Sequence, residues 1–254
     1  MQPNVKLLAH TPNPTRVIAL SARLCYTQGM GIEKLNDKLS DETCLKLVKK
    51  IISNKHHSCL EHAVFTFGVE GVSRNFSHQT VRHRNTSYEQ QSLHYTVAGE
   101  DYEMAMPTVI SAENKGRWLD LKQKVWELYA DCIADGTPKE DARHILPSGI
   151  ETKLLMTGNV RQWLHYVKIR SCIVNCQEIV VVAHKIKNLL QEIKPVLEPE
   201  LGPTCHTDNV CFEGDKFCLA PWKLPCLVKG DGRNYTVKTK WDLNVLKANP
   251  RSPK

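Results

Sequence analysis

With 254 residues, 41% of them hydrophobic and 24% charged, the chain has the length and composition of a soluble globular protein with one sizeable core. Its densest apolar patch, IVVVA at 179–183, is bounded by Glu178 and His184, and the opening MQPNVKLLAH lacks the pattern of a secretion signal, so a cytoplasmic protein without a membrane partner is expected. The formal charge of +7 is concentrated in residues 228–254, where seven basic side chains face Asp231 and Asp242; the remainder is nearly balanced, which argues against a nucleic-acid footprint on the folded domain.

In chain order, PTRVIALSARLC at 14–25 reads as a helix with Pro14 in its first turn. Ser40, Asp41 and Glu42 open a second helix, with Leu45, Val48, Ile51 and Ile52 as its apolar stripe. In AVFTFGVEG, Ala63, Phe65, Phe67 and Val69 alternate with more polar neighbours, the period of a half-buried strand. SRNFSHQTV reads as a short helix leading into RHRNTSYEQQSLHY at 82–95, a run with almost no apolar spacing.

A long helix is expected at 113–134, with Trp118, Leu121, Val125, Leu128 and Cys132 on one face. Thr137-Pro138 opens a shorter one, EDARHIL, which Pro147 stops. The longest helical pattern, 159–193, is expected to break near its middle and to end at Pro195. Its first half sets Arg161, His165 and Lys168 on one stripe and Val160, Leu164, Val167 and Val174 on the other. Ile179, Val182, Ile186, Leu189 and Ile193 keep register in the second half. The expected class is α/β of the α+β type: a helix-rich single domain with a central sheet at 1–202, followed by a Cys-rich and basic extension of unassigned role at 203–254.

Chemistry concentrates in a few places. On an extended chain Arg82 and Arg84 would share one side and His83 the other, and Arg forks suit phosphate; the plainer alternative is a solvated basic turn. His56, His57, Glu61 and His62 lack the spacing of a helical metal motif, and no metal is assigned there. Arg143 sits between acidic residues as in a surface ion pair. Arg170 lies off the middle of the polar stripe, on the flank of Tyr166, and needs either a buried partner or a ligand. Cys205, Cys211, Cys218 and Cys226 miss the CxxC spacing of zinc knuckles, with a metal there as the alternative reading.

RHR followed after seven residues by Ser92 resembles the signature of the flavin-dependent thymidylate synthases. The likeness extends to SARLCY at 21–26, to His56, Ser58, Glu61 and His62, to SRNFSHQTVRHR, to ARHILP at 142–147, and to Asn159, Arg161, Arg170 and Glu178. The resemblance implies an enzyme that makes dTMP from dUMP, with 5,10-methylenetetrahydrofolate as carbon donor and FAD, reduced by NADPH, as hydride source. It implies a homotetramer with sites where subunits meet. FAD is then expected at His56, Ser58, Arg82, His83, Arg84, Asn159, Arg161 and His165. The nucleotide is expected at Gln79, Gln90, Ser92, His94, Arg143 and Arg170, with Arg143 toward its phosphate and Arg170 as the catalytic cation toward the uracil ring. No cysteine nucleophile is implied.

One departure concerns His94, where relatives carry Arg in an SxRY pattern; another is Asn175-Cys176-Gln177-Glu178-Ile179, where relatives often read AQxEI. His94 raises an alternative substrate, UMP or another pyrimidine nucleotide methylated at C5. A basic nucleic-acid-binding protein using RHR and the tail is the remote alternative.

Overall fold

Period-2 apolar patterns build the centre of the protein. The computed structural model describes residues 1–106, 110–172, 174–190 and 193–208. Within them, β1 (Asn4–His10), β2 (Val64–Ser73), β3 (Ser87–Gln90) and β4 (Glu151–Asn159) pair antiparallel in the order β1-β2-β4-β3. Phe65, Phe67 and Val69 of β2 and Leu154 and Met156 of β4 turn inward together, with Ala63 just ahead of them. The expected strand is thus present, whereas β1, β3 and β4 went unassigned. β3 lies inside the polar RHRNTSYEQQSLHY run, where pairing with β4 rather than side-chain pattern makes the strand.

The helices are α1 (Pro14–Leu24), the unanticipated α2 (Ile32–Asp37), α3 (Asp41–Ser53), α4 (Arg74–Thr80), α5 (Ala112–Ala134), α6 (Lys139–Ala142), α7 (Val160–Arg170) and α8 (Gln177–Leu189); of these α4, α7 and α8 pack against the sheet, and α1 packs on α3. The long pattern does break, between α7 and α8. Pro195 does not end it: α8 stops at Leu189, and Pro195 lies in a short α9 (Lys194–Leu197), with α10 (Thr204–Thr207) beyond. Side-chain caps start α3, α4 and α7, Ser40 Oγ accepting from Thr43 N, Ser73 Oγ from Phe76 N and Asn159 Oδ1 from Gln162 N.

Trp163 fastens α7 to the sheet. Its indole donates to Gly158 O at 2.8 Å and Phe65 O at 3.3 Å, and its ring meets Phe67 edge-on at 4.9 Å. Ile179, Val182, Ala183 and Ile186 of α8 are buried in the same core. Two expected faces are rotated. On α3, Cys44 is buried and Leu45 exposed. On α5, Tyr129 is fully buried while Leu121 and Leu128 face outward; Trp126 and, as expected, Trp118 pack against Tyr102 and Met104. Among the described residues no helix is long and apolar enough to cross a membrane.

Two polar contacts lock the layers. Buried Glu200 receives Lys55 Nζ at 2.6 Å and Lys168 Nζ at 2.8 Å, and Lys168 also reaches Asp208 at 2.9 Å. Burial opposes each charge, yet Lys168 and Lys55 hold Glu200 below the ordinary carboxylate value. Lys168 is thereby committed to structure. At the other end, β2 bulges between Val69 and Val72 around Gly71, whose φ of 67° and approach to Gln2 O leave no room for a side chain. The strand then ends at Ser73, whose N–H and hydroxyl both donate to Glu178 Oε2, at 3.0 and 2.8 Å.

Glu178→Ala strands the Ser73 amide at the junction of β2, α4 and α8 and should lower the unfolding free energy by about 2 kcal/mol. Denaturant unfolding measures this; a loss below about 0.5 kcal/mol would contradict the bridging role.

Candidate active site

Thr80–Ser87 forms a turn rather than the extended chain the motif suggested. His83 N donates to Thr80 O at 3.1 Å and Thr86 N to His83 O at 3.0 Å. Tyr88, the second residue of β3, closes the turn by donating its hydroxyl to Thr80 O at 2.8 Å. The expected division of side chains survives in this different backbone: His83 is buried, while Arg82 and Arg84 are exposed.

Arg170, the last residue of α7, reaches across to this turn. Its Nε donates to His83 Nε2 at 2.9 Å and its terminal nitrogens to Gln79 O at 2.8 Å and Asn175 Oδ1 at 3.4 Å. Among the described residues no carboxylate pairs with it. The sequence left a buried partner and a ligand open for Arg170; the structure supplies a neutral partner and leaves the positive charge unmatched.

Burial, then the neighbouring Arg170 and His165, push the His83 pKa down to about 4. The ring is therefore neutral near pH 7, and since Nε2 accepts from Arg170, the proton resides on Nδ1. His165 lies one side of His83, rings 5.5 Å apart, and is likewise lowered by burial and by Arg170 and Lys168. Tyr166 flanks the other side at 4.9 Å.

The remaining residues assigned to the flavin surround α7 and the turn. Asn159 spends its side-chain oxygen on the α7 cap. Arg161, exposed one turn from His165, pairs with Glu61, which stands in the 3₁₀ turn His57–His62. Exposed His56 and Ser58 sit at the start of that turn. Arg82 and Arg84, exposed in the turn, carry guanidinium donors of the kind that suit phosphate oxygens, whereas Arg161 already pairs with Glu61.

Residues assigned to the nucleotide fall into two groups, Gln79 with Arg170 at the ends of α4 and α7, and Gln90, Ser92, His94 and Arg143 along and after β3 and beside α6. Gln90 donates to Ser77 Oγ and Thr152 Oγ1, at 3.1 and 3.0 Å, so its amide nitrogen is already held by protein. Ser92 Oγ accepts from His94 N at 3.2 Å, and His94 Nδ1 lies 3.1 Å from Glu140. The Glu140 main-chain oxygen receives Arg143 Nε at 3.0 Å, so the surface ion-pair alternative for Arg143 is partly realised. Gln79 offers its carbonyl to Arg170, while its amide lies 4.0 Å from Cys176 Sγ.

Arg74 was not singled out from sequence. One terminal nitrogen donates to Gln91 O at 3.0 Å, its Nε is buried without a partner, and burial and the neighbouring Arg143 lower its pKa. Two adjacent guanidinium groups, one with an unmet donor, make a place for an anion. Its only sequence signal was a cation in the helix leading to RHR. Among the described residues no three His, Cys, Asp or Glu side chains group as metal ligands; Cys211, Cys218 and Cys226, and the basic tail, lie outside them.

A neutral His83 with a depressed pKa contributes stability that is present above about pH 6.5 and is lost as pH falls toward about 4. Imidazole NMR should accordingly show His83 uncharged at pH 5.5, protonated on Nδ1; a ring titrating near pH 6.5 would contradict the contact with Arg170.

Comparison with known proteins identifies the family. Residues 6–196 match the Thy1 family model, described as thymidylate synthase complementing protein. The chain is 41% identical over 217 residues to the flavin-dependent thymidylate synthase of Geobacter sulfurreducens, covering 84% of this chain and 93% of that one. It is 35% identical over 232 residues to the enzyme of the same name from Clostridium tetani, covering 84% and 92%, and 35% identical over 237 residues to that from Nitratidesulfovibrio vulgaris, covering 88% and 96%. With these matches spanning the turn, α7 and the β3–α6 cluster alike, the chain belongs to the family of the flavin-dependent thymidylate synthases.

Proposed function

We propose that this chain converts dUMP to dTMP, taking its one-carbon unit from 5,10-methylenetetrahydrofolate and its hydride from FAD reduced by NADPH. The names of its relatives support the reaction. The observation that carries the mechanism is Arg170: oriented by His83 and Gln79, half-buried, and without a carboxylate partner among the described residues.

Methylation at C5 of uracil requires negative charge to grow on the ring oxygens. A guanidinium held in place before the reaction stabilises that charge without reorganising. His83 makes this possible by being neutral: a protonated ring would repel Arg170 and lose the accepting lone pair. Bound and reduced, the flavin supplies the hydride. Arg82, His83, Arg84, His56, Ser58, Asn159, Arg161 and His165 would hold it, the exposed arginines suiting its phosphates. Gln79, Gln90, Ser92, His94, Arg143 and Arg170 would line the nucleotide, and Arg74 joins Arg143 at its phosphate.

Assembly into a homotetramer belongs to the same reading. The outward Leu119, Leu121 and Leu128 on α5 support a partner surface covering them. A cytoplasmic location fits a biosynthetic role of this kind.

The purified protein should be yellow, oxidise NADPH faster when dUMP is added and form dTMP with the folate; failure to bind flavin would overturn the proposal. The two clusters should also separate by substitution. Arg170→Ala should cut turnover by a factor of about 100 or more while flavin is retained, a loss of about 2.7 kcal/mol in transition-state stabilisation. Arg82→Ala should instead lose flavin, read from the absorbance of the purified variant. Intact turnover in Arg170→Ala would remove the polarising role.

A further inference from the structure

Glu140 stands among cations. Its carboxylate lies 3.1 Å from His94 Nδ1 and 3.8 Å from an Arg143 terminal nitrogen. Arg74 adds a second guanidinium beside Arg143, with its buried Nε unpartnered. Lys139, next in the chain, donates to Tyr95 O at 3.3 Å. Among the described residues no other carboxylate pairs with His94 or Arg143, and none pairs with Arg74.

We infer that Glu140 is a specificity-determining carboxylate of the nucleotide site, holding the place of a phosphate between His94 and Arg143 and competing with the phosphate of an incoming pyrimidine nucleotide. This rests on the reading of those residues as the phosphate end of the dUMP site.

The geometry allows the exchange. Arg143 is anchored by its Nε to the main-chain oxygen of Glu140, not by the carboxylate alone. The carboxylate can therefore leave without releasing the arginine. The Glu140 side chain is 55% exposed, so turning it into water gives up only a weak surface pair. A phosphomonoester carries close to two negative charges near neutral pH against the single charge of Glu140. It displaces the carboxylate where a singly charged anion gains little. Glu140 thus sets a charge threshold, favouring a terminal phosphate over phosphodiesters and small monoanions. His94 in place of an arginine makes that threshold matter, because an imidazole, unlike a guanidinium, is not a permanent charge that could outbid the carboxylate.

The test uses the full chain loaded with FAD and measures dissociation constants for dUMP, inorganic phosphate and deoxyuridine in the wild type and in Glu140→Gln. At pH 8, above the range in which histidine side chains ordinarily titrate, the carboxylate is the only charge removed. Glu140→Gln should bind dUMP and inorganic phosphate about three- to tenfold more tightly, with deoxyuridine unchanged, and the gain should shrink as salt is raised. Unchanged or weaker dUMP binding would overturn the inference, as would a gain that extends equally to deoxyuridine. Arg143→Ala separates the two levels: if it binds dUMP as tightly as the wild type, the phosphate does not lie there, and the underlying reading falls with the inference.

Discussion

The contact between the Arg170 guanidinium and the neutral His83 ring joins the parts of the site. Arg170 ends α7, His83 sits in the turn after α4, and Gln79 within α4 supplies the second acceptor. Two chain segments far apart in sequence therefore meet at one cation. The contact depends on burial, since only a desolvated histidine stays neutral beside an arginine. Tyr166, fully buried beneath it, and Tyr88, closing the turn, supply that burial.

The sheet makes this meeting possible. β2 leads into α4 and β4 leads into α7; because the two strands are antiparallel neighbours, the helices start from opposite ends of the sheet, and the last residue of α7, Arg170, reaches the C-terminal end of α4 at Gln79. Each start is fixed by a side chain at the strand end, Ser73 for α4 and Asn159 for α7. Trp163 then fixes α7 against Phe65 and Phe67. Glu178 holds α8 to the α4 start, so its place in the sequence pattern has a structural cause independent of any ligand.

Carboxylates divide the cations between structure and chemistry. Lys168 is matched by Glu200 and Asp208, Arg161 by Glu61, and Arg143 by Glu140, which also lies against His94. Among the described residues Arg74 and Arg170 have no such match. Buried or half-buried positive charge left without a counterion is costly unless a ligand supplies one. In the proposed reading, these two half-buried guanidinium groups would receive the nucleotide's anionic and polarisable ends.

By itself the sequence determined the helices with strong period and clear caps, the central alternating strand, and the family through RHR, Ser92, Arg143 and Arg170. These signals are local: a cap, a stripe or a motif is complete within a few residues. Only the tertiary structure decided that SYEQ is a strand, because β3 exists through pairing with β4 and not through its own pattern. It likewise decided which side of α5 is covered, exposing Leu121 and Leu128 and burying Tyr129. It assigned Arg74 and Glu140 their places, and made His83 neutral. Burial and electrostatic pairing depend on neighbours dozens of residues away in the chain, and spacing along one segment carries no record of them.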